Sequence, residues 1–249
     1  MTPRITAAVA ARVLTQLRHD RRTLAMLLLV PSLVLALLAW MYDERPLVFD
    51  HLGPALLALI PFIVMFLVTS VTMLRERSSG TLERLLALPT GKLDLLLGYG
   101  FAFGLMAALQ SGIAAGLSVG VLGLDVRGPV WALVLVAVAD AVLGTAFGLF
   151  VSAFARTEFQ AVQFMPLVVV PQILLCGLFL DRDALPPALH TLSDVLPLSY
   201  AVDAMTQVAT GNGDAAGISG DAWRDLGVVL GFTLVLLGLG AATLRRRTA

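Results

Sequence analysis

Six long apolar runs alternate with short polar connections along the chain, at residues 24–42, 52–74, 93–122, 129–154, 161–180 and 226–244. Each is long enough to cross a hydrocarbon core about 30 Å thick as a helix. A helix also satisfies its own backbone groups there, which an open strand cannot do. The pattern therefore predicts an all-α polytopic membrane protein with six transmembrane helices. The segment 1–23 precedes the first run and carries Arg4, Arg12, Arg18, Arg21 and Arg22. It is expected to form an amphipathic helix on the inner membrane surface. A signal peptide also starts basic, but the run at 24–42 is too long for a usual apolar core and no A-x-A-like site follows it. The first span is thus expected to be retained.

Between the fifth and sixth runs lies a longer stretch, 181–223. Within it, 184–196 and 199–208 are semi-apolar and helix-length, separated by Pro197, and a Gly-rich tail runs over 210–220. Helices this short cannot span a bilayer. They predict a hairpin on the outer side before the last span, either re-entrant or a solvated cap. One domain, 1–249, is expected: the amphipathic helix at 1–23, spans one to five at 24–180, the outer hairpin and loop at 181–223, and the last span with a basic tail at 224–249.

Charge gives the orientation. The 249 residues are 58% hydrophobic and 14% charged, against about 25% charged in soluble domains. Mean hydropathy is +0.90. Net charge is zero, but the distribution is uneven. Thirteen of the 17 basic residues fall before the first span, in the second connection (Arg75, Arg77, Arg84, Lys92), in the fourth (Arg156) and at the end (Arg245, Arg246, Arg247). Only Arg45, Arg127, Arg182 and Arg224 fall on the other side, where Asp43, Glu44, Asp50, Asp181, Asp183, Asp194 and Asp203 collect. The positive-inside rule then places both termini and the second connection in the cytoplasm.

That second connection holds the most informative stretch, residues 75–89. Gly80 breaks the preceding helix, and Thr81 suits an N-cap. Leu82, Leu85, Leu86 and Pro89 recur at the spacing of one helical face, with Glu83 in the first turn, where a carboxylate suits the helix dipole. A short amphipathic helix outside the membrane results, resting on headgroups or docking on a protein. The order Glu76, Gly80-Thr81-Leu82-Glu83, Leu85-Leu86, Pro89 resembles the coupling-helix signature of ABC-2 type transporter permeases, the membrane subunits of ATP-driven exporters. The runs 152–157, 177–179 and 196–200 resemble the same family, in which two short helices dip into the outer leaflet after the fifth span. The resemblance implies that Glu76, Gly80, Thr81, Leu82, Glu83, Leu85, Leu86 and Pro89 dock an ABC ATPase subunit. It implies two such subunits per transporter, a second permease copy forming a homodimer or a homologue in its place, and ATP with Mg in the ATPase rather than in this chain. The small form without a large outer domain resembles the antibiotic-resistance branch.

Polar groups inside the spans need an account, since a charge there costs about 2.5–3.5 kcal/mol on insertion scales. Asp140 lies in the fourth span and Gln110 in the third at a similar depth, so the two are expected to share a hydrogen bond if those spans are neighbours. Gln163 and Gln172 flank Pro166 and Pro171 in the fifth, where the prolines predict a kink. These four line a translocation path or bond between helices. Spacings of the type G-x-x-x-G occur at Gly100/Gly104, Gly112/Gly116, Gly116/Gly120, Gly144/Gly148 and Gly227/Gly231, and most are expected to serve packing within the chain.

No catalytic, cofactor or metal site is expected in this chain. Its one Gly-Lys pair, Gly91-Lys92, has Leu86 and Leu93 where a phosphate-binding loop needs glycine and a hydroxyl residue. His19, His51 and His190 are scattered, and Cys176 sits in an apolar run as a small buried hydrophobe. The basic N-terminus precedes a span, which favours lipid phosphate over nucleic acid as its partner. The alternatives to an exporter permease are an intramembrane enzyme using Asp140 and a non-transporting assembly subunit. With few polar groups in the spans, a hydrophobic or amphipathic substrate is expected.

Overall fold

The computed structural model describes residues 3–79, 92–211 and 218–243. Nine helices account for most of them: α1 (Pro3–His19), α2 (Arg21–Met41), α3 (Pro46–Ser78), α4 (Lys92–Gly120), α5 (Val130–Ser152), α6 (Glu158–Leu175), α7 (Pro187–Val195), α8 (Pro197–Thr210) and α9 (Gly220–Thr243). A 3-10 turn at Arg182–Ala184 precedes α7. Among the described residues there is no strand. The helices α2, α3, α4, α5, α6 and α9 are long and apolar enough to cross a membrane. The chain is therefore an all-helical, multi-pass membrane protein.

Local chemistry moves some boundaries from their expected places. α2 begins at Arg21 because Asp20 caps it, accepting from the Thr23 amide at 3.1 Å and the Thr23 hydroxyl at 2.6 Å. The amphipathic helix consequently ends at His19. α6 begins at Glu158, since Thr157 accepts from the Gln160 amide at 3.1 Å while the Gln160 side chain accepts from the Arg156 amide at 2.9 Å. It ends at Leu175 instead of running to 180, because the chain turns at Gly177 with φ +93°, a conformation open to glycine at little cost.

α3 and α5 form the centre. In lipid the helices gain nothing from leaving water, so close van der Waals fit decides their association. Gly144 and Gly148 supply it: a methyl group on Gly144 would stand 2.4 Å from the Phe62 carbonyl oxygen, and one on Gly148 2.6 Å from that of Phe66. The most apolar windows of α3, α4 and α5 are 61%, 50% and 67% buried, against 17%, 22% and 28% in α2, α6 and α9. The latter three thus present most of their surface outward. The other G-x-x-x-G spacings divide. A methyl group on Gly104 would meet Val142 at 3.7 Å and one on Gly100 would meet Leu237 at 4.0 Å, but one on Gly112, Gly116, Gly120, Gly227 or Gly231 would meet nothing within 4 Å. Packing among the described residues therefore uses fewer of these pairs than expected, because those glycines fall on faces that no other described helix covers.

α3 has 33 residues, about 50 Å at 1.5 Å per residue, so it projects beyond a 30 Å core. At its N-terminal end, Asp50 accepts from the Asp125 amide at 2.9 Å, and the Arg127 amide donates to the Ala209 carbonyl at 2.9 Å. These bonds gather the start of α3, the α4–α5 connection and the end of α8. α8 is embedded in the bundle, with Leu198, Ala201, Val202, Ala204, Met205 and Val208 buried, whereas α7 is mostly exposed. At the opposite end, α1 buries Val9, Val13 and Leu17, with Val9 seated on Gly98 of α4.

Candidate functional site

Three polar clusters occur along the bundle. The first surrounds the last turn of α3. Glu76 is only 8% exposed and accepts from Arg12 of α1 at 2.7 Å; the same guanidinium nitrogen donates to the Tyr99 hydroxyl of α4 at 3.0 Å. Arg75 donates to both oxygens of Glu158 at 2.8 and 3.1 Å, and Arg77 to the Ser152 carbonyl at 2.6 Å. A groove of about 300 Å³ runs beside them, lined in part by Val13, Asp20, Thr72, Arg75 and Glu76. Of the eight residues expected to dock an ATPase, Glu76 is the one within the described residues; Gly80, Thr81, Leu82, Glu83, Leu85, Leu86 and Pro89 lie outside them. Glu76 turns inward onto α1 and α4.

The second cluster lies in the middle of the spans. Gln110 and Asp140 are both buried, and among the described residues neither the amide nor the carboxyl group has a hydrogen-bond partner. The expected bond between them is not formed, although α4 and α5 are neighbours: Ser111 donates to the Ala137 carbonyl at 3.2 Å. One residue of offset on a helix turns a side chain by about 100°, so common depth does not make two groups face each other. Gln172 has a structural role. It donates to the Val168 carbonyl at 3.0 Å and accepts from the Leu198 amide at 3.3 Å, binding α6 to the start of α8. Gln163 is on the exposed face of α6. The four polar residues therefore do not line one cavity.

The third cluster was not legible as a site. Arg182 donates to Asp203, to Asp194 at 2.6 Å and to the Ser193 hydroxyl at 2.7 Å. Its guanidinium lies 5.2 Å from the Tyr200 ring centroid, within cation–π range. Ser193 passes the connection on to the Leu175 carbonyl at 2.9 Å. Arg182 thus ties the end of α6 to α7 and α8. Burial raises the Asp203 pKa from its ordinary value, with Arg182 opposing the shift. Two cavities, of about 330 and 950 Å³, meet along Asp181, Arg182, Asp203, Thr206 and Gln207. The available signal was an arginine isolated among Asp181, Asp183, Asp194 and Asp203. Among the described residues, no group of three or more His, Cys, Asp or Glu is placed to hold a metal.

A family model described as ABC-2 type transporter matches residues 4–209. Among curated proteins the chain is similar to ABC transporter G family member 20 of Dictyostelium discoideum, 28% identical over 161 residues, covering 64% of this chain and 22% of that protein. It is similar to the inner membrane transport permease YhhJ of Escherichia coli K12, 28% identical over 159 residues, covering 61% of this chain and 42% of the relative. A third relative is the linearmycin resistance permease protein LnrN of Bacillus subtilis, 25% identical over 175 residues, covering 70% and 44%. The chain spans less than half the length of each of these three.

Proposed function

The chain belongs to the ABC-2 type transporter family of membrane permeases, and we propose that it is the membrane half of an ATP-driven exporter. The ATPase is a separate subunit, docked on residues 76–89, where ATP and Mg are bound and hydrolysed. Two permease copies pair as a homodimer, each with one ATPase, and both termini face the cytoplasm. The carrying observation is the position of the signature stretch. It joins α3 to α4 inside the family-matched region, and the α3 turn leading into it is ringed by Arg12, Arg75 and Arg77. That excess of positive charge supports a cytoplasmic location.

The substrate is a hydrophobic or amphipathic molecule, moved outward. The outward faces of the spans are apolar, with Leu29, Leu33, Phe101, Leu105, Leu167 and Leu234 exposed, and the Bacillus relative is by name a resistance permease. Asp140 does not favour an intramembrane enzyme, because its carboxyl group is enclosed by packed helices and reaches no surface.

The test is co-purification. Gly80→Pro or Glu83→Arg is expected to leave membrane insertion intact and to reduce the ATPase recovered with the permease by about tenfold, the loss of one hot-spot contact worth about 1.4 kcal/mol or more. Undiminished recovery in both variants sinks the docking assignment.

A further inference from the structure

We propose that the groove between α1, the first turn of α2 and the last turns of α3 binds one membrane phospholipid whose headgroup carries a primary amine, with the ammonium on Glu76 and the phosphate on Arg75. The proposal goes beyond the exporter reading, which assigns no ligand to this groove.

Helical spacing builds the walls. Gln16 and Asp20 come from one face of α1, Thr23 from the first turn of α2, and Thr72, Arg75 and Glu76 from one face of α3, around a space of about 300 Å³. Among these polar residues Glu76 is the buried one. Its Oε1 accepts from Arg12 at 2.7 Å, while Oε2 has no partner among the described residues. An unbonded buried carboxylate oxygen is costly, so a donor is missing at this wall. Across the groove, the Asp20 carboxylate is bonded by the neutral amide and hydroxyl of Thr23. Two carboxylates facing one space suit a cation with several N–H donors. A primary ammonium has three, as in lysine, and a quaternary ammonium has none. Arg75 supplies the opposite charge. It gives Nε and Nη2 to Glu158, and its remaining nitrogen is suited to a phosphate oxygen.

What makes the ligand a lipid, and not a soluble zwitterion, is the surface that continues from the groove. From Thr23 the same side of α2 runs on through Met26, Val30, Leu33 and Leu37 at steps of three and four residues, and all four are exposed. α2 as a whole presents most of its surface outward. The ten residues from Thr23 to Leu33 rise about 15 Å, half of a 30 Å hydrocarbon core and so the depth of one leaflet. A polar groove at the foot of the first span and an apolar stripe one leaflet deep follow each other in the order of headgroup and acyl chain. A soluble amine would fill the first and leave the second uncovered.

The experiment titrates the full chain, purified in detergent and stripped of lipid, with dioleoyl phosphatidylethanolamine, phosphatidylcholine and phosphatidylglycerol, and follows bound lipid by native mass spectrometry. One phosphatidylethanolamine per chain is expected, held about tenfold more tightly than phosphatidylcholine, the scale of one hydrogen bond to a charged group. Glu76→Gln is expected to bring these two lipids level. That change also deprives Arg12 of its charged partner, so Gln16→Trp is the second variant. Gln16 is exposed, and the larger ring at the groove wall is expected to lower phosphatidylethanolamine binding about tenfold. Glycerophosphoethanolamine, the same headgroup without chains, is expected not to displace the lipid at equal concentration. Equal binding of phosphatidylethanolamine and phosphatidylcholine by the unaltered chain overturns the proposal, as does undiminished phosphatidylethanolamine binding in Gln16→Trp. Tighter binding of phosphatidylglycerol shows Arg75 reading phosphate alone and overturns the amine assignment. Displacement by glycerophosphoethanolamine makes the ligand a soluble amine and overturns the lipid. No ATPase or transport enters the measurement, so its outcome is independent of the exporter reading.

Discussion

At the scale of single residues, Asp140 and Asp203 show two settings of a carboxyl group, one fully buried and one part-buried. Asp140 is fully buried among α5's neighbours with neither oxygen bonded, and an unbonded buried polar group costs roughly 1–3 kcal/mol. Asp140→Leu is close in size and removes that cost, so thermal unfolding in detergent is expected to shift upward by a few degrees. Unchanged or lower thermal stability shows that Asp140 has partners in the native membrane. Asp203 is bonded to Arg182, yet burial outweighs that partner and raises its pKa. The folded chain therefore binds this proton more tightly than the unfolded chain does. Stability from this group is full below the ordinary carboxylate range and falls as pH rises through the raised value. Asp203→Asn is expected to remove that slope, seen as thermal midpoints for the variant that decline less than wild type as pH rises above the ordinary carboxylate value.

At the scale of helices, one pair of glycines outweighs the rest. Gly144 and Gly148 lie against the carbonyls of Phe62 and Phe66 at separations no methyl group tolerates. Gly144→Ala must push α3 and α5 apart, at a cost of about 1–3 kcal/mol from overpacking. Gly116→Ala on α4 adds a methyl group where nothing lies within 4 Å and is expected to leave the monomer's stability within about 0.5 kcal/mol. Thermal unfolding of the two variants side by side decides the matter, and equal losses refute the assignment of α3 and α5 as the tight pair. The hydrogen bonds of α7 and α8 follow a different rule. Three of them converge on Arg182, so α7, which is mostly exposed, is held by polar bonds, while α8 is also held by its buried apolar face.

At the scale of the molecule, the two ends of the bundle differ in charge chemistry. One end gathers Arg12, Arg75 and Arg77 with Asp20, Glu76 and Glu158, and the other gathers Asp181, Asp183, Asp194, Asp203, Asp221 and Asp225 around Arg182 and Arg224. If the positive-inside rule governs insertion, a cysteine introduced at exposed Ser78 reacts with a membrane-impermeant maleimide only after the cell is opened. One introduced at His190 reacts in intact cells. The reverse labelling pattern overturns the orientation and, with it, the docking of a cytoplasmic ATPase. This measurement is independent of substrate and of any ATPase preparation.

The sequence alone determined the number of spans, the two short helices around Pro197 and the basic face of α1, because these follow from length, hydropathy and helical period, which are local. It also carried the motif that places the chain in its family, since that motif is contiguous. What the tertiary structure decided was the partnership of side chains. Gln110 and Asp140 share a depth but not a direction, Glu76 turns onto Arg12 of a helix 64 residues earlier, and Arg182 collects residues from α7 and α8. Helical rotation between neighbours sets these meetings, and a hydropathy pattern averages that rotation away. The glycines divide for the same reason: identical spacings mark a tight contact at Gly144 and an uncovered face at Gly116, depending only on what the fold brings opposite.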